Sequence, residues 1–199
     1  PSVGPMTAQS AQGPLFGRLA YQQASSLAAL PPGVADLSLD VASQPVWHGP
    51  VRLWPGRSWL LLFYGTSAMP KLLALPRPER APQTVWRVAN LIEGLGAADL
   101  LDGDEEVVSK LGYGTATEPQ LGRLSQRTLR LRARQGGSAS WDISFDQAAQ
   151  AAAQDQVVTI LLTGTMSDKS KVSALLLVES RASSAMAAPV LSLPTMPSL

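Results

Sequence analysis

The sequence predicts an all-β protein made of two small antiparallel β-sandwich modules with extended N- and C-terminal arms, and three observations carry that reading. Several segments alternate apolar and polar residues with the period of two that gives a strand one dry and one wet face. The stretch 58–75, SWLLLFYGTSAMPKLLAL, sets two short apolar runs around a Gly-Thr-Ser-Ala-Met-Pro break. Such runs, bounded by turn formers, suit a buried hairpin and are too short for a membrane span. The stretch 156–178, QVVTILLTGTMSDKSKVSALLLV, repeats the plan, with Leu162-Thr163-Gly164-Thr165 echoing Phe63-Tyr64-Gly65-Thr66. Two copies of one unit imply two similar sheet modules.

Taken in order, 1–14 is small, polar and punctuated by Pro and Gly, and reads as an arm. Module one covers 15–75. A first strand is expected over 15–21, and Leu30-Pro31-Pro32-Gly33 then signals a turn, because proline presets φ and glycine tolerates positive φ. In 35–41, Leu37, Leu39 and Val41 alternate with Asp36, Ser38 and Asp40, which predicts a strand. A turn at Ser43-Gln44-Pro45 leads to a strand over 46–53, and Trp54-Pro55-Gly56-Arg57 turns into the hairpin of 58–75, completing a meander.

The segment 76–83 is rich in proline and charge and reads as a stiff linker. Module two covers 84–181. Its first strand, 84–91, puts Val85, Arg87 and Ala89 on one face and Trp86, Val88 and Asn90 on the other. Strands over 97–101 and 105–109 flank Asp102-Gly103-Asp104, a tight-hairpin signal. In 128–134, Leu129, Leu131 and Ala133 point inward and Arg130, Arg132 and Arg134 outward. A strand over 141–145 follows the Gly136-Gly137 turn, and 147–154, QAAQAAAQ, has the alanine and glutamine content of a short helix, with a loop cover as the equal alternative. The remaining 182–199 forms a second arm, whose prolines oppose regular structure.

Composition narrows the chemistry. The 199 residues are 45% hydrophobic, enough for a real core, and a net charge of +1 gives no strong field to attract nucleic acid or anionic lipid. The absence of cysteine excludes a disulfide framework, thiolate metal sites, covalent haem attachment and a cysteine nucleophile. The single histidine, His48, has no second histidine or cysteine to complete a zinc site or nucleophilic triad, and reads as a surface residue at a strand end. No run nears the roughly 20 apolar residues of a transmembrane helix. A start at Pro1 without an initiator methionine leads us to expect an exported protein whose signal has been removed.

Asp99, Asp102, Asp104, Glu105 and Glu106 form an acidic cluster without the spacing of a calcium loop, and it reads as a solvated hairpin rim. The five tryptophans, Trp47, Trp54, Trp59, Trp86 and Trp141, sit beside apolar strand residues and are assigned to cores and a contact between modules, with a sugar platform as the alternative. Gly112-Tyr113-Gly114-Thr115 lacks the glycine spacing and the Lys-Ser/Thr of a phosphate loop. The arginines Arg127, Arg130, Arg132 and Arg134 make a stripe that could meet phosphate or an acidic polysaccharide, since the guanidinium fork pairs well with carboxylates, but an ordinary solvated strand face or a protein interface is the favoured reading. The candidate partner-binding residues are Arg130, Arg132 and Arg134 on that stripe and Val190, Leu191, Leu193 and Met196 on the C-terminal arm, whose apolar side chains suit a groove on another subunit, with the protein's own surface as the alternative. No catalytic, cofactor-binding or metal-binding constellation is read from the sequence.

The order of LPPG at 30–33, SWLLLFYG at 58–65, the proline-rich link, WRVANL at 86–91, LLDGDEE at 100–106 and ILLTG at 160–164 resembles the AlgF type of periplasmic alginate O-acetylation accessory protein. The resemblance spans 15–178 and implies two small β-sandwich modules and an adaptor role in polysaccharide O-acetylation. The expected function is a non-catalytic subunit bound to larger proteins of an envelope or membrane-bound complex. Two alternatives are a structural subunit of a membrane-bound periplasmic oxidoreductase, such as a quinoprotein or haem alcohol dehydrogenase, and a carbohydrate-binding module.

Overall fold

The strand patterns of the sequence reappear in a computed structural model, which describes residues 5–20, 23–25, 28–66, 68–78, 84–121, 129–134, 140–143, 156–179 and 190–192. All the regular structure among these residues is strand, and the chain divides into two compact units with a boundary between Arg77 and Pro78. The helix expected at 147–154 lies outside the described residues.

The first unit contains β1 (Met6–Ser10), β2 (Gly13–Leu19), β3 (Gly33–Val41), β4 (Gln44–Leu53), β5 (Trp59–Gly65) and β6 (Pro70–Pro76). One antiparallel sheet runs in the order β2-β1-β3-β4, and β5 and β6 form a separate hairpin. Leu37, Val51 and Leu53 of the sheet share a core with Trp59, Leu61, Leu72 and Ala74 of the hairpin. Trp47 lies so close over Gly49 that a Cβ there would come within 2.9 Å of the indole, and its ring meets Phe63 edge-on at 5.7 Å. The glycine therefore makes room for the aromatic pair that joins sheet to hairpin.

Two expectations change here. The segment 1–14 is not simply an arm, because Met6–Ser10 is a central strand paired with both β2 and β3. Its composition is only weakly apolar, but ladders on both sides satisfy its backbone, and Ala8 is small enough to be completely buried. The turn before β4 is Ala42-Ser43, one residue earlier than the proline suggested, with φ of 50° and 65°.

The second unit contains β7 (Val85–Glu93), β8 (Ala97–Asp102), β9 (Glu105–Gly112), β10 (Thr115–Ala116), β11 (Gln120–Leu121), β12 (Leu129–Ala133), β13 (Ser140–Ile143), β14 (Val157–Thr165), β15 (Asp168–Glu179) and β16 (Val190–Ser192). One sheet runs β10-β7-β14-β15-β16 with β11 also on β7, and the other runs β13-β12-β8-β9. Val88, Ile92, Val158, Ile160, Leu162, Ala174 and Leu176 from the first layer share one core with Ala98, Leu100, Val108, Leu129 and Leu131 from the second. Asn90, fully buried, ties the layers together: its Nδ2 donates to Gly96 O at 3.2 Å and Leu111 O at 3.1 Å, and its Oδ1 accepts from Ile92 N.

Pairing is antiparallel except between β7 and β14, which run parallel from Val85↔Val157 to Glu93↔Thr165. Both faces of this central pair are dry. Val85, Arg87, Ala89, Leu91, Thr159 and Leu161 on the reverse face are also buried, which explains why β7 and β14 read as nearly continuous apolar runs. Arg87 Nε donates to Thr159 Oγ1 at 3.0 Å across the pair.

The two related stretches of sequence are both hairpins, β5-β6 and β14-β15. Their shared glycine has one cause. Gly65 has φ 93° with Met69 O at 2.8 Å from a hypothetical Cβ, and Gly164 has φ 122° with Lys171 O at 2.4 Å. In each hairpin the backbone folds back against itself where only glycine fits.

The C-terminal arm is also corrected in part. Val190–Ser192, a stretch between Pro189 and Pro194 that contains no proline, pairs with Leu176–Val178 of β15 at the sheet edge. Three free N–H groups are enough for such a strand, which the proline count of 182–199 obscured. No helix among the described residues is long and apolar enough to cross a membrane.

Candidate interaction surface

The outer face of the β13-β12-β8-β9 sheet brings together two features that stand far apart in the sequence. Alternation in β12 buries Leu129, Leu131 and Ala133 and turns Arg130, Arg132 and Arg134 outward, as expected. Register then sets Arg132 opposite Asp99 of β8 and Arg130 opposite Asp142 of β13. Arg132 Nη2 bonds Asp99 Oδ2 at 3.0 Å and Glu106 Oε2 at 3.1 Å, while Arg130 Nε bonds Asp142 Oδ1 at 3.1 Å. Arg134 Nε bonds Asp99 Oδ1, and its Nη2 donates to Ser109 Oγ at 3.2 Å. The arginine stripe and part of the acidic cluster are therefore counter-ions to each other.

Asp99 is the centre of this set. It is 2% exposed, although its arginine partners remain partly in water. β9 bulges opposite it, because Ala98 pairs with Leu111 and Leu100 with Val108, leaving Ser109 and Lys110 facing one residue. Asp99 Oδ1 accepts the Lys110 N–H inside that bulge at 3.0 Å. Burial pushes the Asp99 carboxyl up, but the Lys110 amide and the Arg134 and Arg132 guanidinium groups together outweigh it, holding the group below its ordinary value. The hydrogen bond to Asp99 pushes Arg134 the other way, upward. Both groups move away from neutrality, which suits a permanent ion pair and not a proton carrier.

The rest of the acidic cluster sits on the β8-β9 turn, with Asp104 and Glu105 exposed. Gly103 opens that two-residue turn with φ 63°, the conformation for which glycine is favoured in first place. Arg127 lies outside the described residues. The Gly112-Tyr113-Gly114-Thr115 segment is a turn onto the edge of β7, where Gly114 N donates to Asn90 O at 2.7 Å. Among the described residues no group of His, Asp and Glu is placed to hold a metal ion.

His48 is exposed in mid-strand on β4, opposite Ser38, and not at a strand end. Trp47 and Trp59 pack on the first core and Trp86 and Trp141 on the second. Trp54 departs from the assignment to cores, being 56% exposed. Of the candidate tail residues, Val190 and Leu191 lie on β16, and Leu193 and Met196 fall outside the described residues. Sequence reasoning overlooked the bulge at Ser109-Lys110. The one signal for it was an acidic residue, Asp99, inside an otherwise apolar strand.

A comparison with protein-family models finds no match to this chain, and a comparison with curated proteins finds none either.

Proposed function

We propose that this chain is a non-catalytic accessory subunit of a periplasmic cell-envelope complex, and that the complex carries out polysaccharide O-acetylation in the manner of the AlgF type. The observation that carries the reading is the closed ion-pair network on β8, β9 and β12. Ionisable groups converge there, yet Asp99, Arg132, Arg134 and Glu106 are paired with one another, and the pairing holds Asp99 below and Arg134 above its ordinary value. Such a set stiffens a sheet face so that it can be presented to another protein, whereas acid-base work needs a group poised near the working pH. The two β-layered units and the order of motifs from LPPG to ILLTG support the finer version.

Native mass spectrometry of the complex purified through this chain tests the reading. An acyltransferase partner is the expected result. A partner carrying quinone or haem would make the chain a structural subunit of an oxidoreductase. A chain that purifies alone overturns the subunit reading.

A further inference from the structure

The outward row of β4 differs from the arginine stripe of the second unit. Alternation sends Val51 and Leu53 into the core and leaves His48, Pro50 and Arg52 exposed. Trp54 extends that row just past the strand. Val34 of β3 lies directly opposite Arg52 and is 62% exposed. Diagonal neighbours across a strand pair are about 7–8 Å apart, so Val34, Arg52 and Trp54 form one patch. Arg130, Arg132 and Arg134 are all paired, but Arg52 has no hydrogen-bond or ion-pair partner among the described residues.

The chemistry of the patch indicates its occupant. Tryptophan and arginine are the residues most enriched where protein contacts are strongest, and Val34 adds an aliphatic surface that stacking on a sugar would not use. Within 1–77 the basic residues are Arg18, Arg52, Arg57, Lys71 and Arg77, against only Asp36 and Asp40, so the complement is acidic. Pro45 and Pro50 remove N–H groups from β4, which favours recognition by side chains over the addition of a strand. We propose that Val34, Arg52 and Trp54 dock a protein segment presenting a carboxylate beside an apolar side chain. The guanidinium fork of Arg52 takes the carboxylate, and Trp54 and Val34 cover the apolar group. This proposal rests on the subunit reading and names the surface through which it acts.

Random dodecapeptides displayed on phage are selected against the immobilised full chain, with an Arg52→Glu, Trp54→Ala double variant for counter-selection. Recovered peptides are expected to carry Asp or Glu next to an apolar residue. Trp54→Ala and Arg52→Glu should each weaken their binding at least about tenfold, the scale of a central contact residue. Met69→Ala, at a residue 71% exposed in the β5-β6 loop, should leave binding unchanged. Circular dichroism and melting temperature check that the variants fold. Failure to recover peptides, recovery of basic peptides, or binding indifferent to both substitutions overturns the proposal. So does Trp54-dependent binding of an acidic oligosaccharide in place of peptides. A native complex that forms equally well with both variants overturns this surface while leaving the subunit reading intact.

Discussion

Asp99 and Lys110 lock each other in place: the Lys110 amide donates to Asp99 Oδ1 at 3.0 Å, and Lys110 sits in the left-handed region with φ 53°. A lysine in that conformation is disfavoured by roughly 1–2 kcal/mol. The buried carboxylate offsets this cost by supplying the partner that the bulged amide would otherwise lack.

Replacing Asp99 by Asn should therefore destabilise the chain by about 1–2 kcal/mol, less than for a fully buried ion pair because both guanidinium groups stay partly in water. The pH dependence follows from the lowered Asp99 pKa. A carboxyl with a depressed folded pKa contributes stability above its unfolded value, about 3.9, and that contribution is lost as pH falls through the folded pKa. Denaturant midpoints measured from neutral pH down to acid should drop more steeply below about pH 4 in the wild type than in Asp99→Asn. Parallel curves would remove Asp99 from the account.

Two glycine substitutions should separate close approach from turn strain. Gly164→Ala places a Cβ against backbone atoms of Lys171 and Val172 at 2.4–2.8 Å, which no side-chain rotation can relieve. Gly103→Ala meets nothing within 4 Å and carries only the penalty of its φ of 63°. We expect a loss above about 2 kcal/mol for the first and about 1 kcal/mol for the second, read from urea unfolding.

The Ala42-Ser43 turn offers a gain. Both residues have positive φ, for which Asn-Gly is the favoured pair. The double change Ala42→Asn, Ser43→Gly should raise stability by about 1 kcal/mol without altering the β3-β4 register, as checked by thermal melting and amide exchange.

His48→Ala tests the non-catalytic reading. The residue is exposed on β4, so stability should stay within about 0.5 kcal/mol and the activity of the proposed complex should be unchanged. A hundredfold fall in turnover with the complex intact, the low end of a general acid or base contribution of about 10²–10⁴, would reveal a site at His48.

Deleting 188–199 removes β16 and opens the edge of β15 at Leu176–Val178. The melting temperature of the isolated chain should fall, reflecting the loss of a few ladder hydrogen bonds at about 0.5–1.5 kcal/mol each. An unchanged melting temperature, with loss of the chain from the proposed complex, would return the tail to the role of a docking arm.

Strands whose evidence is local were legible in the sequence. Alternation in 35–41 and 128–134 assigned Leu37, Leu39, Leu129 and Leu131 to cores, where they lie. What escaped depends on partners distant in the chain. Met6–Ser10 and Val190–Ser192 are strands because of the neighbours that pair with them, and their own composition barely favours it. The pairing of Arg132 with Asp99 follows from the β8-β12 register, and that register is not written in either segment alone. The exposed patch was missed for a similar reason, since Trp54 follows a core residue, Leu53, and only the end of the strand decides which way it faces.

The parallel pairing of β7 with β14 also imposes an order of events. Val85 meets Val157 only after the intervening chain has been made, whereas β8-β9 and β14-β15 are local hairpins that can close early. Until β14 arrives, β7 waits with apolar side chains on both sides and an open edge, a template for pairing with other chains. Closing this long loop is therefore the step we expect to be slow. The interval before it is when a chaperone has most to protect.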